Sequence, residues 1–234
     1  MATSDDIMTH SDRSVSAVDA IGLRQSIRRF LPTPVPDRTI LDLLEIATRA
    51  PSGQNMQPWL VHVVTGDTRA RLCREVSDAA MKGEKEDEYA YFPARIREPY
   101  LSRRRKIGFD LFEIYGVQKD DMEGRMRALL RNFEFFGAPV GLFFTMDRDW
   151  GMGAWIDCSM LMMNVMTLAP AFGLRTCPQQ AWCEYGPVVH RVLDIPESQV
   201  IISGMALGYA DAEAPENRLV TERVKAADFV TRHL

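Results

Sequence analysis

The chain has 234 residues, 46% of them apolar and 26% charged, which is enough apolar side chain for one globular core and excludes intrinsic disorder as the default state. A formal net charge of −4 gives no overall attraction to nucleic acid or to an anionic membrane surface, and neither is expected as a partner. Four cysteines (Cys73, Cys158, Cys177, Cys183) without a Cys-x-x-Cys pair and four scattered histidines argue against a metal site.

Residues 1–15 are polar and acidic where a secretory signal would need a basic start and an apolar stretch. They read as a flexible N-terminal arm, and the expected location is the reducing cytoplasm, with free thiols. Ser16 then caps a helix expected to run to about Gln25. A second helix spans Asp37–Ala50, with Ile40, Leu41, Leu44 and Ala47 at helical spacing between Pro36 and Pro51. Three apolar, β-branched runs, 59–65, 139–146 and 199–207, read as buried strands of one sheet. Helical patterns at 67–81, 118–136, 154–172 and 185–193 separate them, so residues 16–234 form a single three-layer domain, α/β or α+β.

The apolar run 154–174 is long enough for a membrane span, but Asp157, Asn164 and Pro170 interrupt it, and a helix buried in a core or a dimer interface is the better reading. Segment 82–117, with Tyr89, Phe92 and the run Arg103–Lys106, fits neither a strand nor one clean helix and reads as an excursion over a pocket. The tail 211–234 has few apolar anchors and reads as an extended arm that needs another surface, which a second subunit would supply.

Three polar segments carry the chemistry. Leu23–Phe30 places Arg24, Ser26 and Arg28 where a helix gives way to an extended chain, and guanidinium forks with a hydroxyl suit a phosphate. The bland alternative is a basic helix end that complements the dipole. Pro51–Trp59 joins a helix to a strand through Ser52, Gly53, Asn55 and Gln57, whose amides can pair along the edge of a planar heterocycle, where a plain turn would use only Ser52 and Gly53. Gly173–Trp182 follows the most apolar helix and holds Pro178, Gln179 and Gln180, with backbone NH groups free to face a cavity or simply to connect two elements.

Together these segments resemble the nitroreductase superfamily over nearly the whole chain. Leu23–Phe30 is similar to its R-R-S-x-R-x-F opening, with Gln25 in place of a basic residue, and Ala50–Trp59 to its A-P-S-x-x-N-x-Q-P-W loop. Cys177-Pro-Gln-Gln and Arg223 resemble later elements, and the 82–117 insertion resembles the nitrobenzoate-reductase-like subgroup. The resemblance implies an α+β fold, with a central, mostly antiparallel sheet flanked by helices in an α/β/α sandwich, and an intertwined homodimer with FMN at its interface. It implies that Arg24, Ser26 and Arg223, with Gln25 nearby, hold the FMN phosphate and that Arg28 approaches the N1/O2 side of the ring. Pro51, Ser52, Gly53, Asn55 and Gln57 would line ring and ribityl chain, and Pro178, Gln179 and Gln180 the other face.

No Gly-x-Gly-x-x-Gly follows a strand, so NADPH or NADH is expected to visit the flavin face transiently, in alternation with a small aromatic acceptor. The expected activity is ping-pong hydride transfer through flavin N5, reducing nitroaromatics to nitroso and hydroxylamine products, with no catalytic side chain of its own. Tyr89 and Phe92 are candidate substrate contacts. Quinone, enone or dehalogenating reduction on the same scaffold and a non-catalytic flavin-binding or sensing protein are the alternatives.

Overall fold

The computed structural model describes residues 15–233, so the arm expected over residues 1–15 lies, apart from Val15, outside the described residues. Helix α1 covers Ala17–Gly22, and the Ser16 hydroxyl accepts from the Asp19 amide, as a capping serine should. It stops three residues before Gln25. From there the chain runs extended along the sheet edge: the Ile27 amide donates to the Thr176 carbonyl at 3.0 Å, and Phe30 bridges Ala210.

Helix α2 (Asp37–Ala47) buries Ile40, Leu43 and Ala47, while Leu41, expected on the apolar stripe, is 58% exposed. Among the described residues β1 (Leu60–Val64), β2 (Val140–Asp147), β3 (Arg175–Gln179) and β4 (Gln199–Gly208) form one sheet in the order β1-β2-β4-β3, every neighbouring pair antiparallel. The central strands β2 and β4 are covered on both faces, which is why they read as continuous apolar runs. Successive side chains of β2 still alternate. Phe143 enters a core with Leu72, Val76, Phe133, Phe135, Trp182 and Val189, and Leu142 and Phe144 enter another with Ile40, Leu43, Leu161 and Val165. Helices α3 (Gly66–Lys82) and α7 (Gly186–Leu193) close the first core, and α2 and α6 (Met152–Leu168) the second, giving helix, sheet and helix layers.

Three elements depart from expectation. Gly173–Trp182 contains strand β3, because an edge strand tolerates Pro178 and its missing donor. The helix expected over 118–136 is α5 (Met122–Leu130) followed by a tight turn, Arg131–Gly137, in which Phe135 and Phe136 sit at φ 51° and 54°. Left-handed backbone is costly for such residues, and burial of both rings holds it. Within 82–117, residues 84–99 are irregular but Tyr100–Ile114 is a helix, α4, whose arginine run hides its periodicity.

Helix α6 with the turn to Phe172 is long and apolar enough to cross a membrane by length and composition. Its Ala154, Cys158, Leu161 and Val165 stripe instead packs into the second core, and Ile156 on another side is 62% exposed. The tail beyond Asp211 follows the surface, with Val220, Phe229 and Val230 exposed.

Candidate functional site

The extended segment after α1 and the tail build one cavity. Arg24, Gln25, Ser26 and Arg28 line it with Thr221 and Arg223, closed on one side by Met163 of α6, in a volume of about 460 Å³. Asn217 sets the backbone: its Oδ1 accepts from the amides of Arg28 (2.7 Å) and Arg29 (3.2 Å), and its Nδ2 donates to the Arg29 carbonyl. Buried Ile27 anchors the same segment in the first core.

The arginines divide by role. Arg29 donates to the Glu216 carboxylate at 3.2 Å, a group that Arg131 also contacts at 2.7 Å. Among the described residues no carboxylate pairs with Arg24, Arg28 or Arg223, and Arg223 makes only short-range contacts to Thr221 and Glu222. Three guanidinium groups and a hydroxyl that line one cavity, with no counter-charge among the described residues, form a donor set that a phosphate completes. Behind it, burial pushes the Cys177 thiol up to about 11, against the pull of Arg28, Ser26 and Arg24, so it stays protonated at neutral pH.

The loop Pro51–Trp59 is held in an unusual shape. Gln54, Asn55 and Gln57 have φ of 48°, 60° and 51°, a region that side chains with a Cβ rarely adopt. The Gly53 amide donates to Asp157 Oδ2 on α6 (3.2 Å), the Gln57 amide to Ser52 Oγ (3.0 Å), and Gln57 Nε2 to the Asn55 carbonyl (3.1 Å). Non-glycine residues strained in this way cluster where a loop must present a fixed face. Pro51, Gly53, Asn55 and Gln57 are exposed, and within one chain this loop does not line the arginine cavity.

A second cavity of about 360 Å³ brings together Tyr89, Phe92 and Gln180. The Tyr89 hydroxyl and Gln180 Nε2 both donate to the Ile202 carbonyl of β4, at 2.6 and 2.7 Å, and Tyr89 packs edge-on against Trp155. Burial raises the Tyr89 phenol well above its ordinary value and pushes the Cys183 thiol, in the same wall, up to about 12, so both keep their protons. Gln179 turns the other way. Its Nε2 donates to the Asn132 carbonyl and its Oε1 accepts from Trp182 Nε1, which leaves only its backbone for a ligand.

Most candidates therefore fall into three groups: Arg24, Gln25, Ser26, Arg28 and Arg223; Tyr89, Phe92 and Gln180; and the loop with Pro51, Ser52, Gly53, Asn55 and Gln57; Pro178 and Gln179 lie on strand β3 and line neither cavity. Sequence reasoning missed the residues that hold them. Asp157 and Asn217 are positioning residues, and the one available signal was an acid standing alone in an apolar helix.

The nitroreductase family profile matches residues 21–209. A chloronitrobenzene nitroreductase of Comamonas testosteroni is 38% identical, across 91% of this chain and 95% of that protein. A 4-nitrobenzoate reductase of Pseudomonas putida is 36% identical, across 89% and 92%. The crystal structure of the FMN and NADPH-dependent nitroreductase NfnB from Sphigopyxis sp. strain HMH superposes with a TM-score of 0.91 at 37% identity, covering 94% of this chain and 99% of that one. With its strained amide loop, its arginine cavity and this match over most of its length, the chain belongs to the nitroreductase family.

Proposed function

We propose that the protein is an FMN-dependent oxidoreductase that draws electrons from NADPH or NADH and reduces nitroaromatic compounds, working as a homodimer in the cytoplasm. The observation that carries this reading is the cavity of Arg24, Ser26, Arg28 and Arg223, cationic and without a carboxylate partner among the described residues. The names of the relatives point to the acceptor class, since they act on chloronitrobenzene and 4-nitrobenzoate.

The chemistry that FMN supplies when bound is two-electron hydride transfer, from nicotinamide in one half-reaction and to the acceptor in the next. Arg24, Ser26 and Arg223 bind the phosphate, with Gln25 beside them. Arg28 brings a permanent positive charge toward the ring, which favours the reduced anionic flavin. Pro178, Gln179 and Gln180 would offer backbone to the ring, and Tyr89 and Phe92, which share a cavity with Gln180, would wall a flat acceptor.

The homodimer reading rests on an incomplete site. Pro51, Ser52, Gly53, Asn55 and Gln57 do not line the arginine cavity of their own chain, while Ile156 on α6 and Val220, Phe229 and Val230 on the tail leave apolar surface open. A second copy that covers this surface brings its loop to the cavity, with 16–234 as one domain, 82–117 over the pocket and 211–234 lying on the partner.

The purified protein should show flavin absorbance that bleaches on anaerobic NADPH and returns on adding a nitroaromatic acid. A colourless protein that takes up no added FMN, or a band that never bleaches, overturns the reading. A flavin-loaded monomer in analytical ultracentrifugation overturns the dimer.

A further inference from the structure

The geometry points to a nucleotide subsite outside the arginine cavity: the slot between Phe92 and Tyr100 receives the 2′-phosphoadenosine end of NADPH. The inference rests on the reading above that a nicotinamide nucleotide is the donor. It adds a place for the nucleotide's far end and a choice between NADPH and NADH.

The slot encloses about 260 Å³, with Phe92, Pro93, Ile96 and Tyr100 as walls and Arg97 and Arg104 at the rim. The Arg104 guanidinium stands 4.6 Å from the centre of the Phe92 ring, and that of Arg103 5.7 Å from the centre of Tyr100. Residues 92–106 hold Arg95, Arg97, Arg103, Arg104, Arg105 and Lys106 against a single acid, Glu98, in a chain whose net charge is −4. Lys106 is engaged by Asp110 at 2.8 Å, and Glu98 accepts from Ser102 beside Arg105. Among the described residues no carboxylate pairs with Arg97 or Arg104.

A charge run usually marks a solvated helix face. Here two of the guanidinium groups lie over rings, and those rings are themselves open, Phe92 at 49% and Tyr100 at 64% exposure. A flat apolar slot with an arginine rim suits a heterocyclic base stacked on an aromatic face and a phosphate held by a guanidinium fork. Phe92 also walls the Tyr89–Gln180 cavity, so one ring joins the slot to the space proposed for acceptor and nicotinamide.

The deciding measurement is calorimetric titration of the flavin-loaded dimer with 2′,5′-ADP and with 5′-AMP, for the wild type, Arg104→Ala and Arg97→Ala. The expected result is that 2′,5′-ADP binds at least about tenfold more tightly than 5′-AMP, and that either substitution removes that advantage at an unchanged melting temperature. Steady-state rates should follow, with the NADPH to NADH ratio of kcat/KM falling about tenfold in Arg104→Ala through KM, equally with nitrobenzene and 4-nitrobenzoate as acceptor. Equal binding of the two nucleotides, or an unchanged ratio, overturns the proposal. A loss confined to 4-nitrobenzoate overturns it too and gives the arginines to the acceptor's carboxylate. If the protein binds no FMN and turns over neither nucleotide, the functional reading fails, and the 2′,5′-ADP titration on the protein as purified still decides the slot.

Discussion

The Gly53 amide donates to Asp157 Oδ2 across 3.2 Å, and through this contact helix α6 holds a loop whose own backbone resists its shape. Asp157 is 8% exposed on an otherwise apolar helix, so its charge is costly there unless it is hydrogen-bonded. Asp157→Ala frees the Gly53 amide and lets Gln54, Asn55 and Gln57 relax toward ordinary φ. FMN affinity should fall about tenfold, the lower range of a charge-assisted hydrogen bond, and Asp157→Asn should recover most of it because an acceptor oxygen remains. Flavin fluorescence titration measures this. Equal affinity in Asp157→Ala would show that Ser52 alone holds the loop.

Arg24 and Arg29 are five residues apart and differ in what they face. Arg24 lines the cavity without a carboxylate partner among the described residues, and Arg29 is engaged by Glu216. Arg24→Ala should therefore lose a charge-assisted phosphate contact of roughly 1.5–3 kcal/mol, weakening FMN binding by about one to two orders of magnitude. Arg29→Ala should leave FMN affinity within about threefold and act on stability instead. If the two variants weaken FMN equally, the division of roles is wrong.

How much of this was legible in the sequence depended on what each residue reports locally. Strands β2 and β4 are covered on both faces and wrote themselves as predominantly apolar runs, and α2 and α3 carried clear helical spacing. Strand β3 was hidden because an edge position accepts Pro178 and Gln179, and α4 because arginines fill its exposed faces. The end of α5 was hidden because left-handed Phe135 and Phe136 are held by the core, which no local pattern reveals. In the site, Arg24, Ser26, Arg28 and Arg223 do share one cavity despite their separation along the chain. That Pro51–Gln57 stands apart from them within one chain follows from tertiary geometry and has no local signature.

Glu88 is a further hidden element, with a side chain 3% exposed whose carboxylate meets His190 Nε2 at 2.6 Å and Arg148 Nη2 at 2.7 Å. His190 Nδ1 lies 3.0 Å from the Ile195 carbonyl, which can only accept, so that nitrogen carries a proton. The contact needs a glycine at 186, because a Cβ there would collide with the Glu88 carboxylate. Gly186→Ala should displace Glu88 and leave buried polar groups short of partners, lowering stability by about 1–3 kcal/mol. Because Tyr89 follows Glu88 directly, KM for the acceptor should rise as well. Urea denaturation and steady-state kinetics test both, and an unchanged midpoint would show that the carboxylate finds another place without cost.

The last prediction concerns pH and the Glu216 carboxylate that Arg131 and Arg29 share. Burial alone would raise this carboxyl, but its own amide, Arg131 and Arg29 more than offset that and hold it below the ordinary value of 4.5. A carboxyl whose pKa is lower in the folded state binds its proton more weakly there. Its contribution is therefore fully present above pH 4.5 and is lost as pH falls below that value through the folded pKa. Glu216→Gln should be less stable than the wild type near neutrality, should keep the same deficit down to about pH 5, and should converge with the wild type in more acid solution. Denaturation midpoints at several pH values between neutral and acid measure the convergence. The adjacent Asn217 fixes the Arg28 backbone, so FMN release should begin over the same acid range in the wild type. A deficit that stays constant from neutral to acid pH would mean that the ion pairs do not depress this carboxyl, and the tail would then be held by Asn217 alone.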